Sequence, residues 1–286
     1  MKLHPERQQR LDHLAALDPE ANWHEIYQRT VLWEFPAEAR LGFQLAFYRP
    51  LAVPHMAAVF YESGHMEHST IRRAYDTGLV LHEIIYGGVD SERGTKMVRL
   101  MNALHSRSGV QQADLTYVLN ALIVVPNRFI ERTGWRSLTA NERTASCHFW
   151  VELGMRMGIE TLPASYEDSE ALLEQYEATH LAPSAVGQAL TAAVLDALRH
   201  RTPKPIRPFT AQLTSALLDE PQVSAALGLP APNHILTGSL RAVLALQRIR
   251  HRRTRPPQEP AFTPGQRAGS VYPHGYTLDQ LGPPVH

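Results

Sequence analysis

The chain has 286 residues, of which 44% are hydrophobic and 20% charged, a composition typical of globular proteins and unlike that of disordered chains. Its 28 basic side chains balance 28 acidic ones, so the net positive charge expected of a nucleic-acid-binding protein is absent. The single cysteine, Cys147, excludes an intrachain disulfide and zinc sites built from three or four thiolates.

The first third of the chain consists of successive helical patterns. Proline is tolerated in the first helical turn, and glycine readily ends a helix, so both residues mark boundaries here. The predicted helices are 6–17, 21–31, one opened by Pro36, one from Pro54 to Ser63-Gly64, 65–86, and one capped by Asp90 or Ser91 that ends at His105.

The rest of the chain follows the same pattern. After Asp114, the apolar run from Leu115 to Val125 is too long for one strand and is better explained by a buried helix. Thr139 and Glu142 have the spacing of a capping box. Further predicted helices are 139–157, 166–177, 183–200, 209–218 and 232–250.

The fold class predicted from these patterns is all-α. No sequence repeat occurs, and no segment alternates apolar and polar residues long enough to require a sheet. We expect a single helical domain of about ten or more helices over residues 1–255. Proline and glycine are frequent beyond it, which predicts an extended tail at 256–286 packed on the domain.

Two short segments carry polar residues on helical faces. His105 ends an apolar face that includes Met101 and Leu104, and by spacing alone such a histidine is more often a core residue than a metal ligand. Arg73 and Thr77 are four residues apart and share another face. By themselves they also fit a solvated surface, with Arg73 paired to Asp76.

Other metal sites are weighed against these residues. His82-Glu83 begins like the zinc protease motif, but Tyr86 occupies the position of its second histidine, which excludes that motif. Glutamate and histidine are three residues apart, as in di-iron bundles, at Glu62–His65 and at Glu177–His180. Ser63-Gly64 interrupts the first of these pairs, so a di-iron site is disfavoured.

An arginine cluster follows the last long helix. Its members are Arg248, Arg250, Arg252, Arg253 and Arg255. Such a cluster commonly forms a solvated helix end that interacts well with the helix dipole. The alternative is contact with an anionic membrane surface.

The order of several motifs resembles the rubber oxygenase and mpaB-type oxygenase family. The resemblance covers roughly residues 20–200 and the C-terminal tail. The motifs include Arg73-Ala74-Tyr75-Asp76-Thr77, Met101-Asn102-Ala103-Leu104-His105, Asp114 with Tyr117-Val118-Leu119, Gly134-Trp135-Arg136, Leu138-Thr139 with Glu142, and Tyr272-Pro273-His274-Gly275-Tyr276.

The resemblance implies an all-helical protein that binds heme b and uses one histidine as the axial iron ligand. His105 matches that histidine, and Arg73 and Thr77 match an arginine and a threonine near the heme. We assign Asn102, in the motif of His105, to cofactor binding together with Arg73. The family cleaves carbon–carbon double bonds of isoprenoid chains with dioxygen, so the resemblance implies an oxidoreductase whose catalytic residues include Arg73 and Thr77.

Two departures limit this expectation. Polymer-cleaving members have a lysine before the threonine, where this chain has Asp76, and they are secreted, whereas the first residues here predict no export signal. The glutamate base of those members has no clear counterpart in register, and Glu62 and Glu67 are the nearby candidates. The substrate we expect is therefore a smaller isoprenoid or lipid-like molecule, in a channel lined by Met97, Met101 and Leu104. The alternatives are a non-catalytic heme- or lipid-binding protein on the same scaffold and an all-α interaction protein without a cofactor.

The expected location is the cytoplasm. The first residues lack the apolar core of a secretory signal, and no run of about 18 apolar residues occurs in the chain. A lone cysteine also fits a reducing compartment. We therefore expect a soluble cytoplasmic protein.

Overall fold

The computed structural model describes residues 3–62, 65–106 and 109–282, with the side chains of 65–71, 73 and 74 excluded. Thirteen α-helices lie in this part of the chain, which confirms the all-α prediction. They are α1 Pro5–Ala16, α2 Trp23–Arg29, α3 Pro36–Tyr48, α4 Pro54–Glu62, α5 His65–Gly87, α6 Glu92–His105, α7 Gln112–Thr133, α8 Ala140–Arg156, α9 Tyr166–His180, α10 Ala185–Arg201, α11 Thr210–Leu218, α12 Pro221–Ala226 and α13 His234–Arg253.

Local sequence signals account for many helix ends. The Ser91 hydroxyl accepts a hydrogen bond from the Gly94 amide at 2.9 Å, which caps α6. Thr139 and Glu142 form the complete capping box of α8. Gly158, with a φ of +70°, lies two residues after Arg156, the last residue of that helix, at a position where an L-residue would be strained.

The core is organised around α7. This helix is buried along most of its length and packs against α3 on one side and α9 on another. Its β-branched residues Ile123 to Val125 remain helical, because they are enclosed by other helices and tertiary packing outweighs their weak propensity. A Cβ added at Gly42 of α3 would lie 2.4 Å from the Cα of Pro126, so only glycine permits this close approach of α3 and α7.

The structure differs from the predicted elements in two places. The helix expected at 21–31 ends at Arg29 and continues as a π-helical turn, Thr30–Glu34, closed by the Phe35 amide bonded to the Thr30 carbonyl at 2.9 Å. Pro36 has no amide hydrogen with which to extend the helix, so the chain turns there and α3 begins. The short helix α12 was not predicted, since six residues are too few for a periodic pattern.

Residues 254–282, the described part of the chain after α13, run along the helices without forming an α-helix, apart from a short 3-10 turn at Leu278–Gln280. The Ala261 amide bonds the Leu32 carbonyl at 2.9 Å, and Lys96 pairs with Asp279 at 2.6 Å. Phe262, Tyr272 and Tyr276 are buried. These contacts attach residues 261–282 to the helical body.

Candidate functional site

His105 lies at the open end of the inner face of α6. Met97 and Val98 are buried on this face, Met101 is half-buried one turn further on, and His105 is exposed. Its Nδ1–H donates to the Met101 carbonyl at 2.8 Å. This bond fixes the ring and leaves Nε2 as the nitrogen with a lone pair, the arrangement in which proteins present a histidine to a metal.

The ring is also held in its neutral form. Neighbouring protein atoms desolvate the imidazole and lower the pKa of His105, even though the side chain is exposed, and the bond to the Met101 carbonyl opposes this effect only in part. A histidine whose pKa is lowered carries no proton on its second nitrogen at neutral pH. Only this neutral form can act as a ligand.

The inner face of α5, like that of α6, is buried at one end of the helix and exposed at the other. Ile84, Leu81 and Val80 are buried near the C-terminal end of the helix, whereas Thr77, on the same face one turn earlier, is exposed. Arg73 lies a further turn towards the N-terminus in the same continuous helix. Its side chain is outside the described part of the structure, so its role stays a prediction.

Helices α5 and α6 form a hairpin that brings these two open ends together. Four residues, 88–91, join the helices, and the helices pack against each other, so they run antiparallel. Thr77 is ten residues before the end of α5 at Gly87, and Asn102 is ten residues after the start of α6 at Glu92. Positions 73 and 77 therefore lie beside the final turns of α6, where His105 is located.

Asn102 connects this end of the hairpin to α8. Its Nδ2 donates to the Arg156 carbonyl at 3.0 Å, while its Oδ1 is buried with no hydrogen-bond partner. A buried polar atom without a partner costs about 1–3 kcal/mol, and four other described residues also have one, so this feature by itself does not mark a functional site. Since Asn102 precedes His105 by three residues, the unpartnered oxygen lies on the helix face nearest to that histidine.

Two expectations about neighbouring residues are revised. Met97 is enclosed in the core and cannot line an open channel, which leaves Met101 and Leu104 as half-buried apolar residues next to His105. In the second glutamate–histidine pair, Glu177 is bound by the buried Arg49 and by the Tyr117 hydroxyl at 3.0 Å. The Glu177 carboxylate therefore has a structural role and does not serve as a metal ligand.

Metal clusters of the multi-ligand kind are absent from the described residues, where no three His, Cys, Asp or Glu side chains converge. The pair Glu62–His65 lies partly outside this set, because the side chain of His65 is not among the described ones, and neither is that of Glu67. Glu62 itself is exposed. Heme iron needs no such cluster, because one protein side chain, commonly a histidine, can hold it.

The C-terminal tail binds α5 beside these residues. The Tyr272 hydroxyl donates to Asp76 Oδ1 at 2.6 Å, and the Gly282 amide donates to Asp76 Oδ2 at 3.3 Å. Arg72 donates to the Gln280 carbonyl at 3.2 Å. Asp76, where polymer-cleaving relatives were expected to have lysine, is thus buried under the tail, and it pairs with Arg72 at 3.8 Å.

We expect Tyr272→Phe to loosen the tail without unfolding the helical body. Burial raises the pKa of Asp76, and the Tyr272 hydroxyl is the shortest donor to its carboxylate, so removing this hydroxyl should cost about 1–3 kcal/mol locally. Hydrogen exchange should become faster at the Ala268, Tyr272 and Tyr276 amides, which bond within or to the tail.

The matched control is Tyr61→Phe, because Tyr61 is exposed and its hydroxyl has no described partner. This variant should leave tail exchange unchanged. If the tail amides exchange as slowly in Tyr272→Phe as in the native protein, the Tyr272–Asp76 bond does not hold the tail.

Two motifs quoted for the resemblance prove to be structural. Asp114 is buried and accepts hydrogen bonds from His55 Nε2 at 2.7 Å and from the Tyr176 hydroxyl at 2.6 Å, which joins α7 to α4 and α9. Arg136 and Glu142 form a buried bidentate ion pair of 2.6 and 2.8 Å. The partners of Asp114, His55 and Tyr176, are 59 and 62 residues away in the chain, so its own segment gives no sign of this structural role.

The helices that carry these residues lie within the part of the chain that matches a known protein family. Residues 33–249 match the family described as ER-bound oxygenase mpaB/B'/Rubber oxygenase, catalytic domain. ER-bound oxygenase mpaB' from Penicillium brevicompactum is 28% identical over 247 residues, which cover 80% of this chain and 58% of that protein. ER-bound oxygenase mpaB from Penicillium roqueforti (strain FM164) is 27% identical over 214 residues, covering 68% of this chain and 72% of that one.

The chain therefore spans less than two thirds of the length of the first of these relatives. Among solved structures, latex clearing protein in the closed state shares the fold, with a TM-score of 0.58 and 17% identity over 86% of this chain and 73% of that one. Within the described residues, no helix of this chain is both long and apolar enough to cross a bilayer.

Proposed function

The chain belongs to the mpaB and rubber oxygenase family, and from this membership we propose that it is a heme b-dependent oxygenase whose iron is held by His105. The proposed reaction is oxidative cleavage of a carbon–carbon double bond in an isoprenoid or lipid-like substrate with dioxygen. One observation carries the proposal: the inner faces of α5 and α6 are both open where Thr77 and His105 lie, and His105 Nε2 is available there.

The residues of the hairpin fit heme chemically. An axial histidine must be neutral and oriented, and His105 has a lowered pKa and a hydrogen bond from Nδ1 to the Met101 carbonyl. The heme propionates need cationic or polar partners, for which the proposal uses Arg73 on α5. The apolar macrocycle needs an apolar border, which the half-buried Met101 and Leu104 provide.

The roles of the residues follow from these positions. Heme, when bound, supplies the iron at which dioxygen reacts. His105 binds and orients this group through Nε2, while Met101 keeps the imidazole in one tautomer. In the proposal Thr77 offers a hydroxyl donor on the inner face of α5, and Asn102 positions the last turn of α6 through its bond to α8. Met101 and Leu104 exclude water and admit an apolar alkene.

A second function on the same scaffold is heme or lipid binding without catalysis. The observation in its favour is Asp76, which replaces the expected lysine and is directed towards Tyr272 and Gly282 in the tail. The glutamate base of polymer-cleaving members also has no assigned counterpart in this chain. Binding and catalysis therefore need separate measurements.

Absorption spectroscopy and oxygen uptake test the proposal together. Protein purified from a heme-sufficient host should show a Soret band, and it should consume oxygen when a long-chain isoprenoid is added and form carbonyl products. A Soret band without oxygen uptake would support the non-catalytic binder. A colourless protein from such a host would contradict both.

The proposal extends to organisation and location. We infer a helical catalytic domain at 1–255 and a C-terminal tail at 256–286 that stabilises α5. For the location we propose the cytoplasm, because a chain whose single cysteine, Cys147, is free fits a reducing compartment. In intact cells the protein should resist external protease.

A further inference from the structure

Helix α13 presents an apolar face to solvent. None of its 20 residues is buried. The exposed fractions are 78% for Ile235, 50% for Val243, 67% for Leu246 and 41% for Ile249. Their spacing of eight, three and three residues puts them on one side of the helix. Single exposed apolar residues are common on protein surfaces, but a row along one helix indicates a binding surface.

The same segment is strongly basic. Between Glu220 and Glu259 the sequence contains six arginines and no Asp or Glu, although the whole chain has a net charge of zero. Arg241 and Arg250 are exposed on α13. A surface with apolar residues and only positive charges is complementary to an anionic interface that also has an apolar layer.

The arginine cluster at 248–255 does not act as a single patch. Arg248 donates to the Gly134 carbonyl at 2.6 Å and Arg252 to the Trp135 carbonyl at 2.7 Å, so both side chains hold α13 against the body. Arg255 pairs with Glu6 at 2.9 Å. The surface open to a partner is therefore the outer face of α13, which we define by Ile235, Val243, Leu246, Ile249 and Arg250.

We propose that the outer face of α13 binds the surface of an anionic lipid bilayer, with the helix parallel to the membrane plane. A helix of 20 residues is about 30 Å long and offers an extended line of contact. Its apolar residues would enter the boundary between headgroups and acyl chains, and Arg250, at the edge of the apolar row, would contact the headgroups. This inference does not depend on heme binding.

A second copy of the chain is a poorer occupant of this face. Two α13 helices packed side by side would place arginines near each other, and neither helix has a carboxylate to pair with them. Like charges brought together in this way oppose association. An anionic bilayer supplies the missing negative charge as well as the apolar layer.

A neighbouring segment also exposes apolar residues. Ile206 and Phe209 are exposed apolar residues, 44% and 46% accessible, next to the exposed Lys204. They belong to the turn before α11, and α11 contacts both this turn and α13. Basic and apolar residues thus continue beyond the helix on an adjoining part of the molecule.

Vesicle flotation with the full chain tests the proposal. The chain should bind vesicles of phosphatidylcholine with about a third phosphatidylserine and should not bind pure phosphatidylcholine. Leu246→Ser/Ile249→Ser should lower the partition coefficient at least tenfold, since about this loss follows from removing two apolar anchors. Arg250→Gln should lower it about fivefold at low salt, and this effect should vanish in high salt.

The matched controls are Met155→Ser, which changes an apolar residue that is 51% exposed on α8, and Arg267→Gln, which removes an exposed arginine of the tail. Both should bind anionic vesicles as the native chain does. The proposal is overturned if the native chain binds neither kind of vesicle or if Leu246→Ser/Ile249→Ser binds as the native chain does. A dimer in sedimentation that Leu246→Ser/Ile249→Ser dissociates, without vesicle binding, would overturn it in favour of a second copy. Circular dichroism should show that all variants keep their helix content.

Discussion

His105→Ala protein, purified from a heme-sufficient host, is expected to lose the Soret band of the native chain. The substitution removes the Nε2 lone pair that the proposal assigns to iron, and no group of three His, Cys, Asp or Glu side chains among the described residues offers an alternative metal site. Loss of supporting contacts to metal ligands already costs 10–100-fold in affinity, so loss of the ligand itself should lower heme content at least about tenfold. The measurement is the heme-to-protein ratio.

Chemical rescue separates a ligand role from a structural one. His105→Gly leaves a space that free imidazole can enter, and imidazole added to this variant should restore the Soret band. His13→Ala is the matched control, because His13 is an exposed histidine that pairs with Glu25 at 3.3 Å on the surface. If His105→Ala retains full heme content, another residue holds the iron and the assignment of His105 is wrong.

Arg136→Met is expected to destabilise the helical body strongly. Glu142 is fully buried and accepts two hydrogen bonds from Arg136, one from the Thr139 amide at 2.8 Å and one from the Thr30 hydroxyl at 3.1 Å. Removing the arginine leaves a buried carboxylate without its counter-charge. Urea unfolding should show a loss of about 3–5 kcal/mol in the free energy of unfolding.

The pH dependence of this effect has a defined sign. Burial opposes ionisation of Glu142, but the bonds from Arg136 outweigh it and hold the pKa of Glu142 below its ordinary value of 4.5. The stability that the pair contributes is therefore present above pH 4.5 and is lost as the pH falls through the lower pKa of the folded state. The difference between Arg136→Met and the native protein should shrink under acid.

Arg143→Met provides the comparison for this prediction. Arg143 pairs with Glu131 at 3.1 Å, but both side chains are about a third exposed, so this loss should be about 0–1 kcal/mol. Arg136→Met/Glu142→Gln keeps a capping side chain and removes the buried charge, and it should recover part of the lost stability. If Arg136→Met and Arg143→Met lower the free energy of unfolding equally, the buried pair stabilises the protein no more than the exposed pair does.

Helix positions were predictable where their signals are local. The Ser91 cap, the Thr139–Glu142 capping box and Gly158 each act within four residues of the helix end that they define. Signals of the same kind delimit α5 and α6 and the short turn between them, which places position 77 near the end of α6. The π-helical turn at Thr30–Glu34 was missed because its cause includes contacts from a distant segment, such as the bond from Trp135 Nε1 to the Glu34 carbonyl at 3.0 Å.

The roles of polar residues were less predictable. Arg49 is completely buried between Glu177 and Glu220, which are 128 and 171 residues away in the sequence, and its own segment gives no sign of this. Asp76 was expected to be part of a site motif, but in the structure it accepts a hydrogen bond from Tyr272, which is 196 residues away in the sequence. Sequence spacing describes neighbours on one helix and cannot identify partners on another.

By itself, the sequence determined that the chain is all-helical, where most helices begin and end, and which family it resembles, because helix caps and apolar periodicity are properties of neighbouring residues. Tertiary structure alone decided which of the family motifs are structural. It buries Asp114, Arg136 and Glu142 among their partners, leaves Thr77 and His105 on open inner faces, and turns the apolar side of α13 to solvent. The physical reason is that burial depends on contacts between segments far apart in the chain, which no local pattern encodes.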